Sequence, residues 1–508
     1  MRFSKLSLPF SKSSAFLIFV YFFTFAIAFR NVLSGSIPFW YDPARDLFLA
    51  LENLNKPTLI GPPSGIQGVF YGPYWIWALS AGLLVSRDPR IVDLLVLTIP
   101  YFIVFPYILY KLKNIFGVYI MGSLWLLFIF SSVNYATFIW NPHYAPLLLL
   151  VLIYLLITNS YSISGMNLIR FSIAGFAAGL LFNFHISLGV GVIIGSLIFV
   201  LIYALLNILS AKKKSSRFKD FFEIGTSFSA GVILAFIPFI VFEMRHGFAQ
   251  TSALFNEITG STSSVLLSGL SNVEILQQFF GAFAKVLLVP TGIGYVILLL
   301  STGMFLFLIF RKKIKLSDTE FRLSLILSSV SITILAVYLT AKNPVWEYHF
   351  IAIEVLWLML VALFLKRLKY LQYLFFIWIG ILCVFQFISF LKAFNADPYK
   401  ESTLAAKEHV VETIHEDSGE KDFAVYAYNP AIYTYDYDYL FEWKGKKREK
   451  MPVTINDTST VYLIIPETTD AIFEDFIRYR TEGYRTTRIL RISDGTTILK
   501  REISNENL

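Results

Sequence analysis

Two carboxylates and an arginine fall within five residues in Trp40-Tyr41-Asp42-Pro43-Ala44-Arg45-Asp46. Asp42 and Asp46 are four apart, so on a helix they share one face. A carboxylate so placed can serve as a general base on a hydroxyl. Asp42 can equally cap a helix, and Asp46 can pair with Arg45 or solvent; the local sequence leaves both readings open. Asp42 followed by Pro43 reads as an N-cap with proline at the first helical position. From Pro43 to Leu54 the residues Leu47, Leu51 and Leu54 line one face. That pattern predicts a short amphipathic helix lying at a membrane interface.

Other chemistry-bearing residues gather at the ends of apolar runs. His143, His185, His246 and His349 fall there, with Glu243 and Glu347 beside them. Together they could form an outward-facing polar site able to hold a divalent metal. No pair has the H-E-x-x-H spacing, and amphipathic rings are also tolerated near headgroups, so a metal stays open. Glu354 is expected about a turn inside an apolar span. A carboxylate there is costly and usually faces a bundle interior or a wet cavity. The run Phe70-Tyr71-Gly72-Pro73-Tyr74-Trp75-Ile76-Trp77 suits an interface belt, with Tyr71, Tyr74 and Trp75 placed to touch a lipid tail.

The elements that must position these groups are mostly membrane spans. Of the 508 residues, 56% are hydrophobic and only 15% charged. A soluble domain is about a quarter charged, so the chain reads as a polytopic membrane protein. Cys383 is the single cysteine, which excludes an internal disulfide. Eleven spans are expected: 15–33, 91–110, 115–135, 142–157, 170–184, 187–209, 221–242, 286–310, 321–340, 350–365 and 370–391. The run Pro73–Val85 is about thirteen residues long, below the ~20 a crossing needs, and reads as re-entrant or interfacial. Excluding it puts Lys212-Lys213-Lys214, Arg311-Lys312-Lys313 and Lys366-Arg367 on the cytoplasmic side. Outer loops then keep scattered cations: Arg45, Lys56, Arg87, Arg90, Arg245, Lys285 and Lys342. This is the positive-inside bias, with a cytoplasmic N-terminus and an extracytoplasmic C-terminus. The net charge of +8 thus mainly sets orientation, and no nucleic-acid partner is expected.

Two further segments lie on the outer side in this scheme. The stretch Glu243–Lys285, containing Gly260-Ser261-Thr262-Ser263-Ser264, is expected to be a long loop, either a lid or a plain connector. Residues 1–391 form the membrane domain, and 392–508 are expected to form a small α/β domain. Its predicted helices are Glu401–Glu416 and Asp470–Gly483. Its predicted strands are 423–428, 460–465, 484–492 and 496–503. The tract Tyr433-Thr434-Tyr435-Asp436-Tyr437-Asp438-Tyr439 reads as a packed edge strand or a sugar-stacking surface.

In order and placement these motifs resemble the GT-C superfamily of membrane glycosyltransferases. The likeness is to its branch of protein O-mannosyltransferases and aminoarabinose transferases. Asp42-Pro43-Ala44-Arg45-Asp46 stands after the first span, where that family keeps its catalytic Asp, often as Asp-Glu-Ala; Pro43 replaces the second acid. Gly72-Pro73-Tyr74-Trp75 is similar to its Pro-aromatic juxtamembrane element. Trp140-Asn141-Pro142-His143 and Tyr348-His349 resemble its outer motifs, making Asn141, His143 and His349 candidate lipid or acceptor contacts. The likeness covers residues 15–391. It implies an all-α, GT-C-like membrane fold and inverting sugar transfer from a polyprenyl-phosphate donor. The acceptor would be a hydroxyl on a glycan, lipid or protein at the outer face. Asp42 would be the base, with Asp46, Glu243 and Glu354 as supporting acids. Arg245, His246 and Lys56 are the expected partners of the donor phosphate. A transporter or flippase of a lipid-linked sugar is the alternative, although no internal repeat of residues 34–90 is visible.

Overall fold

The computed structural model describes residues 12–503 except 160–163, 210–213, 260–268, 341–344, 398, 400–401, 429–433 and 468–472. The helices of the first 393 residues run α1 (Lys12–Leu33), α2 (Tyr41–Asn55), α3 (Tyr74–Leu83), α4 (Pro89–Phe116), α5 (Val118–Ser132), α6 (Ala145–Thr158), α7 (Gly165–Phe184), α8 (Ile186–Leu209), α9 (Lys214–Arg245), α10 (Ala249–Thr259), α11 (Asn272–Leu287), α12 (Thr291–Phe310), α13 (Asp318–Thr340), α14 (Ile353–Arg367) and α15 (Lys369–Ala393). Among the described residues, ten helical stretches are long and apolar enough to cross a membrane. The eleventh expected span, α5, has only 15 residues. Gly117, at φ +99°, separates it from α4. The α3 helix spans ten residues and is not among the ten, in keeping with its interfacial reading.

Two spans reach crossing length only through a 3-10 turn at their start. Asn141–Tyr144 leads into α6, and Glu347–Phe350 leads towards α14. Those turns carry His143 and His349. Between the second turn and α14 the chain passes through Ala352 at φ +83°. A side chain rarely adopts that left-handed conformation, and here it sets the direction from which Glu354 enters the bundle.

Several expectations are corrected. The N-cap of α2 is Trp40 and Asp42 lies inside the first turn, with no side-chain cap bond. Pro43 is tolerated there because first-turn amides need no intrahelical acceptor. Glu243–Lys285 is no loop: it holds α10 and α11, the latter started by a capping box of Ser271 and Glu274. Residues Gly260–Ser264 lie outside the described ones, as do Lys212, Lys213, Lys342 and Tyr433.

Beyond α15 come α16 (Leu404–Ser418), β1 (Ala424–Ala427), α17 (Tyr435–Arg448), β2 (Thr460–Ile465), α18 (Phe473–Arg480), β3 (Tyr484–Arg491) and β4 (Thr497–Ile503). The sheet order is β1-β2-β4-β3, with β1 and β2 parallel and the other pairs antiparallel. The tract expected as an edge strand is the start of α17. Its Asp436 and Asp438 stand in the first turn and Lys446, Lys447 and Arg448 in the last, the polarity a helix dipole favours.

One apolar core runs through the bundle, with Tyr101, Phe105 and Phe128 stacked in it. A second joins α2 and α3 to α16, α17 and β2 through Leu47, Trp75, Leu79, Val410, Tyr439 and Tyr462. Backbone bonds support that junction: Leu404 N donates to Ile37 O at 2.9 Å, and Ala405 N to Gly35 O at 3.1 Å. Arg90 pairs with Glu408 at 3.0 Å, and Tyr439 OH donates to Arg87 O at 2.9 Å. The outer side of α2 is therefore clamped, which fixes the residues on its other side. At the opposite end of α14, Glu320 is fully buried between Lys366 at 3.0 Å and Arg367. Lys366 is twelve residues beyond Glu354, so the two ends are about 18 Å apart along the helix.

Candidate active site

The first turns of α2 place Asp42, Arg45 and Asp46 on one side. Arg45 bridges the two carboxylates: Nη1 meets Asp42 Oδ1 at 2.8 Å, and Nε and Nη2 donate to Asp46 Oδ1 at 2.9 and 2.7 Å. The guanidinium also lies 5.2 Å from the centre of the Tyr41 ring. Asp46 is fully buried, and its Oδ2 accepts from Trp75 Nε1 at 2.8 Å. Burial pushes the Asp46 carboxyl up to about 6, against the pull of Arg45 and Trp75. Asp42 differs in access, since 30% of its side chain stays exposed. The arrangement presents one reachable carboxylate on a rigid base made of the other two groups.

The breaker-rich loop after α2 is pinned by hydrogen bonds within itself and to later helices. Gly61 N donates to Tyr71 O at 2.7 Å, Tyr71 N to Pro62 O at 2.9 Å, and Gly72 N to Asn183 O at 3.1 Å. Phe70 N donates to Gln250 Oε1 at 2.7 Å. These bonds fix Tyr71, and burial raises its hydroxyl above the ordinary value. Gly72 allows the close approach: a Cβ there would stand 1.8 Å from Asn183 Oδ1 and 2.8 Å from Asn183 Cβ. Gly72→Ala should cost about 1–3 kcal/mol through overpacking and loosen Tyr71. A lowered thermal midpoint in detergent, with faster proteolysis of the 61–72 loop, is the expected readout. An unchanged midpoint would show that the loop yields freely.

A cavity of about 680 Å³ lies between α11, α12 and the segment 347–354. Tyr348 lines it, with its ring centre 5.6 Å from that of Trp140. In the lining of this cavity, Glu354 Oε1 accepts from Tyr135 OH at 2.7 Å and from Lys285 Nζ at 2.8 Å. Glu354 is buried, with Oε2 unpartnered among the described residues, while 53% of the Lys285 side chain is exposed. An aromatic wall of Trp40, Phe138, Trp140 and Tyr348 connects the α2 start to the cavity, with centroids 4.7 to 6.2 Å apart.

The other sequence-nominated residues are placed as follows. His143 packs among Tyr135, Phe138 and Trp140, its Nδ1 2.8 Å from Phe138 O. Asn141 Nδ2 donates to Phe184 O at 3.0 Å. The His349 ring stacks on Tyr348 at 4.3 Å and lies 5.4 Å from His185. Tyr74 OH donates to Ala235 O at 3.1 Å, so Tyr74 anchors α3 to α9. Glu243 takes the amides of Gln250 and Thr251 at 3.1 and 2.8 Å, and so caps α10 and seats the Gln250 that holds Phe70. Arg245 and His246 are exposed at the end of α9, with His246 stacked on Phe242 at 4.0 Å. Lys56 is exposed at the far end of α2, about 21 Å along the helix from Asp42. Among the described residues no group of three or more His, Cys, Asp or Glu converges as a metal-ligand set.

No family model matches the chain, and no curated protein matches it. Solved structures do. ArnT from Cupriavidus metallidurans aligns over 95% of this chain and 97% of its own at 9% identity. The TM-score is 0.54 for its apo state and 0.56 for the form bound to undecaprenyl phosphate. The chain has the ArnT fold. The GT-C-like architecture expected from the motifs is therefore the one observed. Residues 1–391 are only 391 of 508, so 95% coverage carries the ArnT fold into the C-terminal domain, which the sequence likeness did not reach.

Proposed function

We propose that the chain transfers a sugar from a polyprenyl-phosphate donor to an acceptor hydroxyl, with Asp42 as the base. The observation that carries this reading is the partly exposed Asp42 carboxylate, held by Arg45 and joined through the Trp40, Trp140 and Tyr348 rings to a cavity of about 680 Å³, in an ArnT fold. In this reaction Asp42 takes the proton of the acceptor O–H while that oxygen attacks the anomeric carbon. The bond from the anomeric carbon to the phosphate oxygen breaks on the opposite face, and the polyprenyl phosphate leaves with an added negative charge. A cation must meet that charge. Arg45 is already shared by two carboxylates. Lys285, half exposed in the cavity wall and held by Glu354 and Tyr135, is the better-placed partner than Arg245, His246 or Lys56. The acceptor is a glycan, lipid or protein hydroxyl.

The site faces the outer side of the cell membrane in this reading. Lys366 and Arg367 mark the opposite end of α14 from Glu354, which supports a cytoplasmic N-terminus and an extracytoplasmic C-terminal domain. A topology reporter fused at the C-terminus should read extracytoplasmic.

The deciding experiment gives purified protein a panel of synthetic polyprenyl-phosphate sugars and follows release of the lipid phosphate and glycosylation of candidate acceptors. Translocation of the lipid-linked sugar across vesicles without transfer would overturn the reading in favour of a flippase. Lys285→Met, made together with Glu354→Gln so that no carboxylate is left unpaired, should weaken undecaprenyl phosphate binding about 10- to 100-fold. Unchanged affinity in microscale thermophoresis would remove Lys285 from the phosphate.

A further inference from the structure

We infer that the cavity between α11, α12 and residues 347–354 holds a hydroxyl-rich glycosyl group that bears no carboxylate, selected by Gln277, Gln278 and Glu347. The inference rests on the glycosyl-transfer reading and goes beyond it by naming where the sugar sits and which sugars are refused. Volume is the first argument. At about 680 Å³ the space has the size of a small-molecule site. One phosphate on Lys285 leaves most of it to be filled.

Chemistry is the second argument. Beyond Lys285 the lining includes Gln277, Gln278, Tyr295, Glu347 and Tyr348. Glutamine amides offer donors and acceptors together, and tyrosine hydroxyls do both, which is what a ring of hydroxyls requires. The contrast within the molecule is clear. A second cavity of about 480 Å³, between α1, α4 and α5, is lined by Phe22, Phe102, Tyr107 and Trp125 among other apolar groups and suits a lipid chain. The α11 cavity does not, because a hydrocarbon there would strand its amides and carboxylates.

Charge is the third. Glu354 is matched by Lys285. Glu347 has the Gln278 amide at 3.5 Å and no ion-pair partner among the described residues. Formally the wall therefore carries one uncompensated negative charge. A uronate is repelled by it, whereas a sugar without a carboxylate is accepted. Tyr348 joins this wall to the rings of Trp140 and Trp40, and Trp40 is the N-cap of the helix that carries Asp42.

Saturation-transfer NMR on the full-length protein in nanodiscs tests this with methyl hexopyranosides and methyl hexuronides as probes. Wild type should saturate the hexopyranoside and not the uronide. Gln278→Leu should reduce the hexopyranoside signal about fivefold, and Glu347→Gln should admit the uronide. Undecaprenyl phosphate binding, retained in both variants, reports that they are folded. Equal signals in wild type and both variants, or no hexopyranoside signal in wild type, overturn the inference. In a transfer assay Gln278→Leu raises KM for the donor if the cavity holds the donor sugar, and KM for the acceptor if it holds an acceptor glycan. A rise in neither overturns the assignment. The two readings fail separately. Hexopyranoside binding without transfer from any donor removes the transferase and leaves the site. Transfer unaffected by either variant removes the site and leaves the transferase.

Discussion

Asp42→Asn should lower kcat by about 10²–10⁴-fold, the range that removal of a positioned general base commonly costs. The amide keeps the shape of the carboxylate, and its oxygen can still accept from Arg45 Nη1, now 2.8 Å from Asp42 Oδ1. With 30% of the side chain exposed, the lost ion pair should change stability by no more than about 1 kcal/mol. Binding of undecaprenyl phosphate should be unaltered, since the phosphate partner in this scheme is Lys285, in the wall of the neighbouring cavity. The expected signature is therefore a fall in turnover with the thermal midpoint and lipid affinity intact. Initial rates of lipid-phosphate release, measured beside a melting curve, give both numbers. Turnover equal to wild type would exclude Asp42 from the chemistry, and a collapsed midpoint would assign it to folding instead.

How much of this site is legible in the sequence depends on the distance over which each contact acts. The Asp42, Arg45 and Asp46 grouping is local, set by i+3 and i+4 spacing, and a helix brings it together without outside help. What Asp46 does is not local. Its bond to Trp75 spans 29 residues and requires α3 to lie against α2. Lys285 and Glu354 are 69 residues apart, and nothing near either predicts the other. Arg245 reads as a phosphate partner because a guanidinium fork matches phosphate, and the end of α9 leaves it exposed. Two errors of element type had readable signals. The Ser271–Glu274 capping box announced α11 inside the expected loop. The acid-first, base-last order of Asp436 to Arg448 announced α17, while the alternating aromatics pointed to a strand. In the helix Tyr437, Tyr439, Leu440 and Phe441 are all buried in the core shared with α2. The spans were the easiest part, since hydrocarbon demands length and apolarity regardless of tertiary context.

Arg45→Leu should have the largest effect on stability, because it strands Asp46. The Asp46 side chain has no exposure and would keep Trp75 Nε1 as its one remaining donor among those identified. Breaking a buried pair by removing one partner costs about 3–5 kcal/mol. The carboxylate can escape part of that cost by taking up a proton, which makes the loss pH-dependent. Already in the wild type, burial holds Asp46 at about 6, above the ~3.9 of an unfolded chain. The folded state thus binds the extra proton between those values. Its contribution to stability is complete below about pH 4 and is withdrawn as pH rises through about 6. Without Arg45 the carboxyl moves higher, so the midpoint should decline more steeply and over a wider range up to neutral pH. Asp46→Asn should flatten the dependence. Melting curves from pH 4.5 to 8 on the three proteins provide the comparison, and identical slopes would mean that Asp46 titrates elsewhere. The double variant Arg45→Leu, Asp46→Leu removes both charges and should recover most of the stability. It should not recover turnover. Arg45 also fixes Asp42, and a carboxylate free to swing off the acceptor loses the positioning on which the base depends. Stability restored with turnover still absent would separate the two duties of Arg45, one towards the buried Asp46 and one towards the exposed Asp42.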